Sequence, residues 1–279
     1  MKKELIPSSP IGIFDSGVGG LSVLKAIRNQ LPNESILYLA DQSHVPYGQR
    51  SLEDVRQFST VITQFLLDQG TKLIVVACNT ASAAALHHLR ITFPHISFVG
   101  MEPAVKPAAE FSLTRRVGVL ATPATFQGAL YASVVERFAR DVTIYQHTCP
   151  GLVEQIEAGD LDTSKTRAIL EDALLPMVEK GIDTIVLGCT HYPFVIPLIK
   201  NIVGDGIRVI DPAPAVARQI DHVLNSGKLS NIDKSASTMM FYTTGNSVEF
   251  NKILPRLLLE EGDISSLTWM KNGLSLKTR

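Results

Sequence analysis

Short, nearly continuous apolar runs punctuate this chain, and they fall into two similar sets. The first is "IGIF" from Ile11, "ILYLA" from Ile36, "LIVVA" from Leu73 and "ISFVG" from Ile96. The second is "RVGVLA" from Arg116, "VTIYQ" from Val142, "TIVLG" from Thr184 and "RVI" from Arg208. Apolar runs without strict alternation read as strands buried on both faces, the habit of parallel sheets. Helical patterns lie between them. The clearest follows Ser51: Val55, Phe58, Val61, Ile62, Phe65 and Leu66 share one face, Gly70 closes it, and Ser51 with Asp54 resembles a capping box. Strand–helix alternation of this kind predicts βαβ units and an α/β fold.

The second set repeats the first in detail. "IGIFDSG" lies over "VGVLATP", with Gly12 on Gly118 and Asp15-Ser16 on Ala121-Thr122; "IVVACNT" lies over "IVLGCTH", with Cys78 on Cys189. The two offsets are nearly equal. An internal duplication follows: two similar open parallel-sheet α/β lobes, each with one cysteine at a strand end. Pro176, in the helical stretch before "TIVLG", predicts a kink or break. After Asp211 come a helical stretch "APAVARQIDHVLNSG", a strand "TMMFYTTG" from Thr238 and a helix ending near Leu259. Both series are complete by then, so this tail should pack back on one lobe. No low-complexity linker separates the lobes.

Composition bounds the partners. Of 279 residues, 45% are hydrophobic and 19% charged, which supports a substantial core and excludes wholesale disorder. A formal net charge of -1 gives no electrostatic case for nucleic acid or an anionic membrane. Lys2 and Lys3 resemble the start of a signal peptide, but no apolar stretch of about 7–15 residues follows them. Runs such as "LIVVAC" fall far short of the ~20 residues of a membrane helix. A cytoplasmic protein is expected. The cysteines are Cys78, Cys149 and Cys189, an odd set without C-x-x-C, which argues against a disulfide framework or a zinc ribbon. Cys149 reads as a small buried hydrophobe. His87 and His88 are adjacent on a helix and lack metal-ligand spacing, so they read as structural or surface residues and no metal site is expected.

In open α/β sheets ligands bind beyond the carboxyl ends of the strands. Asp15, Ser16, the stretch His44 to Gly48, Cys78, Asn79 and Thr80 sit at such ends in the first series; Thr122, Glu154, Cys189, Thr190 and His191 do so in the second. If the lobes face each other, the two cysteines flank one ligand. "CNTASAAALHHLR" puts Cys78 at a helix start, where a thiol ionises more readily. His191, two residues from Cys189, could exchange a proton with it or orient it. Asp15 could do the same for Cys78, although a carboxylate tends to raise a thiol pKa unless it takes the proton. Two acid–base groups on opposite faces of one carbon suit inversion: one removes a proton while the other donates to the far side. A carbanion-like intermediate needs fixed donors around its carboxylate, which Asn79, Thr80, Thr190, Ser16 and backbone amides can supply. Each feature also has a plain reading. Cysteines after buried strands often only pack, Asn and Thr there often only cap helices, and "DSGVGGLS" can be a strand–helix turn whose Gly17, Gly19 and Gly20 take unusual backbone angles. It has neither a P-loop lysine nor G-x-G-x-x-G.

Taken in order, "IGIFDSGVGGLSVL", "YLADQSHVPYG", "VVACNTASA", "CPGLVEQIEAG" and "LGCTHYPF" closely resemble the glutamate racemase family of the aspartate/glutamate racemase superfamily, from about Ile11 to Phe250. The resemblance implies a cofactor-independent racemase that interconverts L- and D-glutamate through two cysteine bases and supplies D-glutamate for peptidoglycan. By motif position, Cys78 would take the α-proton of D-glutamate and Cys189 that of L-glutamate. Asp15 would support the first and His191 the second, with Glu154 a further helper. Asp15, Ser16, Tyr47, Gly48, Asn79, Thr80, Thr190 and His191 would contact substrate, and Thr122 joins them as the counterpart of Ser16. The implied fold has its site between two α/β lobes, with the tail completing the first: residues 1–103 plus 213–279, and residues 104–212. The resemblance leaves a homodimer open. No motif offers a Schiff-base lysine, so pyridoxal phosphate is not implied. No Arg or Lys lies inside the strand-end motifs either, so neutral groups must do most of the binding of a dicarboxylate, or a residue outside the motifs contributes. The competing readings are a racemase of the same superfamily that acts on aspartate, and a two-lobed binding protein that holds an amino acid without exchanging its α-proton.

Overall fold

The structure, a computed structural model, describes residues 5–233, 237–258, 260, 262–271 and 273–277. Lys2, Lys3 and Leu259 lie outside the described residues. In chain order the first series is β1 (Ile11–Asp15), α1 (Leu21–Gln30), β2 (Ile36–Ala40), α2 (Leu52–Asp68), β3 (Leu73–Val76), α3 (Asn79–Thr92) and β4 (Ser97–Gly100). The second is α4 (Val105–Phe111), β5 (Arg116–Ala121), α5 (Pro123–Gln127), α6 (Ala129–Phe138), β6 (Thr143–His147), α7 (Leu152–Glu157), α8 (Ser164–Glu179), β7 (Thr184–Gly188), α9 (Ile196–Val203) and β8 (Arg208–Ile210). The tail adds α10 (Ala213–Ser226), β9 (Met239–Thr243), α11 (Ser247–Leu258), β10 (Asp263–Met270) and β11 (Gly273–Leu276).

Two sheets result. One runs β11-β10-β9-β2-β1-β3-β4 and the other β6-β5-β7-β8. The order β2-β1-β3-β4 that forms one end of the first sheet recurs in the second as β6-β5-β7-β8, as the repeated sequence blocks require. Pairing is parallel throughout except between β10 and β11. Ile11 registers with Ile36 and Leu73, and Val117 registers with Ile144 and Thr184. β1, β2, β3 and β7 are buried along their whole length, which explains why their sequences run apolar instead of alternating.

The tail joins the first sheet directly: β9 pairs with β2, Met239 against Ile36. It then adds β10 and β11, which the sequence reading did not anticipate. The helix before β7 also departs from expectation. α8 continues through Pro176 to Glu179 without a break; only its final turn lies beyond the proline, so one missing N–H is tolerated. α2 starts as expected, with Ser51 Oγ accepting from the Asp54 N–H at 3.1 Å. Among the described residues no helix is long and apolar enough to cross a membrane.

Candidate active site

The carboxyl ends of β1, β3, β5 and β7 converge between the lobes. Cys78 follows β3 and is the N-cap of α3, its sulfur accepting from the Ala81 N–H at 3.4 Å. Thr122 follows β5 and caps α5 through the Thr125 N–H. Cys189, Thr190 and His191 follow β7. A cavity of about 20 Å³ lies between them, lined by Ser16, Pro46, Tyr47, Gly48, Cys78, Asn79, Thr80, Thr122, Val153, Cys189, Thr190 and His191. A cavity of that size has room for about one water molecule, so an amino acid would enter only when the lobes or their loops part. His191 is the only group among these that carries positive charge.

Donors cross from lobe to lobe around the cavity. Thr80 Oγ1 and Thr122 Oγ1 share a hydrogen bond of 2.8 Å. Ser22 Oγ donates to the Thr190 carbonyl at 2.8 Å, and Thr190 Oγ1 donates to Asp15 Oδ1 at 3.3 Å. Asp15, wholly buried, also accepts the Gly17 and Gly20 N–H groups at 3.0 Å each. The side-chain amide of Asn79 is different: both its polar atoms are buried without a protein partner. A buried amide left in this way costs about 1–3 kcal/mol, and it faces the cavity. Tyr47 lines the cavity, but its hydroxyl is committed to Asp41 Oδ2 at 2.6 Å, so its ring and backbone face the ligand space.

The two thiols sit in unequal surroundings. Burial, then the nearby Asp15 carboxylate, hold the Cys78 thiol well above its ordinary pKa, against the opposing Ala81 N–H and Ser16 hydroxyl. A negative charge on Cys189 pushes it the same way, so the two sulfurs sense each other. Cys189 Sγ lies 3.8 Å from His191 Nδ1. Burial disfavours charge on His191, but hydrogen bonds to Cys189 and Glu157, together with their charges, hold its pKa well above the usual histidine value. Burial raises Asp15, partly offset by His191 and the two glycine amides. Cys149 is buried, and burial pushes its thiol up to about 12, in keeping with a packing residue. His87 and His88 are exposed. Among the described residues no cluster of His, Cys, Asp or Glu could hold a metal ion.

Two expectations are corrected. Glu154 stands exposed on α7, accepts from Gln49 Nε2 at 3.3 Å and does not line the cavity. The carboxylate of that helix that reaches the site is Glu157, whose Oε1 meets His191 Nε2 at 2.6 Å. Its hydrogen bonds outweigh burial and keep its pKa low. The repeated carboxylate in "VEQIE" was the available signal, but spacing alone does not say which faces the other lobe. The second correction concerns the glycines after β1. Gly17, Gly19 and Gly20 are absent from the glycines with positive φ. Gly17 and Gly19 are small because the second lobe packs on them, and Gly20 because Asp15 and Tyr38 of its own lobe do. A Cβ on Gly17 would lie 1.9 Å from Glu157 Oε1, and one on Gly19 would lie 2.4 Å from His191 Nδ1.

The chain belongs to the Asp/Glu/Hydantoin racemase family, whose model matches residues 11–220. It is 50% identical over 260 residues to the glutamate racemase of Pseudomonas paraeruginosa strain PA7, covering 93% of this chain and 98% of that relative. The fold matches Escherichia coli glutamate racemase in complex with L-glutamate and the activator UDP-MurNAc-Ala, with TM-score 0.83, 31% identity, and 94% and 99% of the two chains covered. It likewise matches Francisella tularensis glutamate racemase in complex with D-glutamate, with TM-score 0.81, 31% identity, and 93% and 97% covered.

Proposed function

We propose that this chain is a glutamate racemase that interconverts L- and D-glutamate by two-base proton transfer between Cys78 and Cys189, without an organic cofactor. The observation that carries this reading is the pair of buried thiols, one from each lobe, lining a single cavity beside the unpartnered Asn79 amide. The relatives that bind L- and D-glutamate share the fold over nearly the whole chain.

The protein groups divide the work. In the L-to-D direction Cys189 takes the α-proton as thiolate, and the cation on His191, 3.8 Å away, offsets the charge on its sulfur. Cys78 remains a thiol at neutral pH because burial and Asp15 oppose its ionisation; it delivers its proton to the opposite face. The roles exchange in the D-to-L direction, where Asp15 is the group placed to accept the Cys78 proton. Charge that develops on the α-carboxylate meets the Asn79 amide, the hydroxyls of Ser16, Thr80, Thr122 and Thr190, and the N-terminal amides of α3. The backbone at Tyr47 and Gly48 completes that wall. In this reading Glu157 holds His191 charged and Glu154 takes no part. The lobes are residues 1–103 with 213–279, and 104–212. The product would feed a cytoplasmic peptidoglycan pathway.

Polarimetry of purified protein without added cofactor tests the substrate. L-Glutamate should lose its optical rotation while L-aspartate keeps its own. Equal or faster loss with aspartate would overturn the substrate assignment, and binding without any racemisation would point to a two-lobed receptor.

A further inference from the structure

The Cys189 side of the site leans on the opposite lobe. Glu157 sits on α7, in the second lobe, yet its carboxylate is held by groups of the first: the Val18 N–H donates to Oε1 at 2.7 Å and Gln42 Nε2 donates to Oε2 at 3.1 Å. Gln42 follows β2, in the stretch that leads to Tyr47. Its amide is itself oriented. Thr243 Oγ1, fully buried at the end of β9, accepts the Gly245 N–H at 3.0 Å and donates to Gln42 Oε1 at 2.8 Å. The reverse amide orientation would set the Gln42 oxygen against the Glu157 carboxylate, two acceptors face to face. One connected path therefore runs Thr243, Gln42, Glu157, His191, Cys189, and it crosses the lobe boundary between Gln42 and Glu157.

We propose that Gln42 is a positioning residue for proton transfer at Cys189: oriented by Thr243, it holds Glu157 against His191 and so sets the Cys189 base only when the lobes are together. The proposal rests on the two-thiol reading above. It makes Gln42 one-sided, because the path ends at Cys189 and bypasses Cys78. For a racemase the equilibrium constant is unity, so kcat/KM must remain equal in the two directions whatever the variant. One-sidedness shows instead in the primary isotope effect. Cleavage of α-deuterated L-glutamate occurs at Cys189 and that of α-deuterated D-glutamate at Cys78. Slowing the Cys189 transfer makes the first more rate-limiting and the second less so.

The test measures isotope effects on kcat/KM with both α-deuterated enantiomers in wild type, Gln42→Leu, Gln42→Glu and His191→Asn. Gln42→Leu and Gln42→Glu should lower kcat/KM about tenfold, raise the effect with the L-enantiomer and lower it with the D-enantiomer. His191→Asn acts directly at Cys189 and should show the same pattern more strongly. If His191→Asn shows it and the Gln42 variants do not, or if their two isotope effects change together, the role of Gln42 is overturned while the two-thiol reading stands. If His191→Asn lacks the pattern too, the two-thiol reading itself fails. Should Gln42→Leu not fold, the near-isosteric Gln42→Glu carries the measurement.

Discussion

Among the described glycines, Gly17 is the one whose added Cβ would come nearest another atom, and that atom belongs to the other lobe. An added methyl would meet the flexible end of Glu157, at 1.9 Å from Oε1, so the fold can absorb it by moving that carboxylate. Gly17→Ala should therefore leave the unfolding transition nearly unchanged and lower kcat by about 10²-fold, the scale of a displacement near 1 Å in a catalytic group; thermal unfolding and turnover measured on the same sample check this. His191 supplies a pH prediction. Burial opposes its charge, but Cys189 and Glu157 raise its pKa above the ordinary value of about 6.5. The charged form thus persists through neutral pH and is lost as pH climbs through the raised value, taking rate with it. Glu157→Gln removes one raising partner, so this alkaline limb of kcat/KM should move to lower pH, equally for both enantiomers. A limb that stays in place would detach His191 from Glu157. At this scale the sequence was uneven. Cys78 and Cys189 were legible because each ends a buried strand of a repeated block. Glu157 was not, because Glu154 and Glu157 share one short helix and only the docking of the other lobe selects between them. The glycines of "DSGVGG" stood out, but as turn formers; close approach across a lobe boundary leaves no mark in the local sequence.

Elements far from the site hold the first lobe together. Lys72, just before β3, is buried with Glu34, just before β2, at 2.5 Å, and its ammonium also donates to the carbonyls of Pro7 and Leu229. Glu34 Oε1 accepts the Asn231 N–H at 2.8 Å. This pair ties the chain before β1, the α1–β2 turn and the segment after α10 to the strand ends opposite the cavity. Removing one partner of a buried pair strands the other charge. Lys72→Met should cost about 3–5 kcal/mol in urea unfolding, and adding Glu34→Leu should restore most of it. No recovery in the double variant would mean the pair does more than balance its own charges. The regular elements were readable where apolar period and capping agreed, as in α2. β10 and β11 were missed because "DISSLTWM" and "GLSL" lie at the outer end of the sheet, only partly buried, and such strands lack the continuous apolar signal of the fully buried ones. α8 tolerates Pro176 because of where the proline falls, which composition does not reveal.

For the whole molecule, the repeat in sequence becomes a repeat in strand order, β2-β1-β3-β4 against β6-β5-β7-β8. The two lobes meet at the ends that carry the cysteines. That meeting brings two strand-end thiols, Cys78 and Cys189, into the lining of one cavity. Hydrogen bonds cross it, Thr80 to Thr122 and Gln42 to Glu157 among them. Ligand that bridges the lobes should stabilise the fold by about 2.7 kcal/mol at 100 times its dissociation constant. Both glutamate enantiomers should therefore raise the unfolding midpoint, and L-aspartate should do so less. In the proposed mechanism a different thiol serves each face of the α-carbon. The most direct measurement of this is the early reaction of L-glutamate in D2O, read by mass spectrometry after the enantiomers are separated. Two-base transfer should place deuterium at the α-carbon of the D-glutamate formed while recovered L-glutamate keeps its proton, and both Cys78→Ala and Cys189→Ala should lose racemisation. Deuterium appearing equally in substrate and product from the outset, or near-normal turnover in either variant, would contradict it.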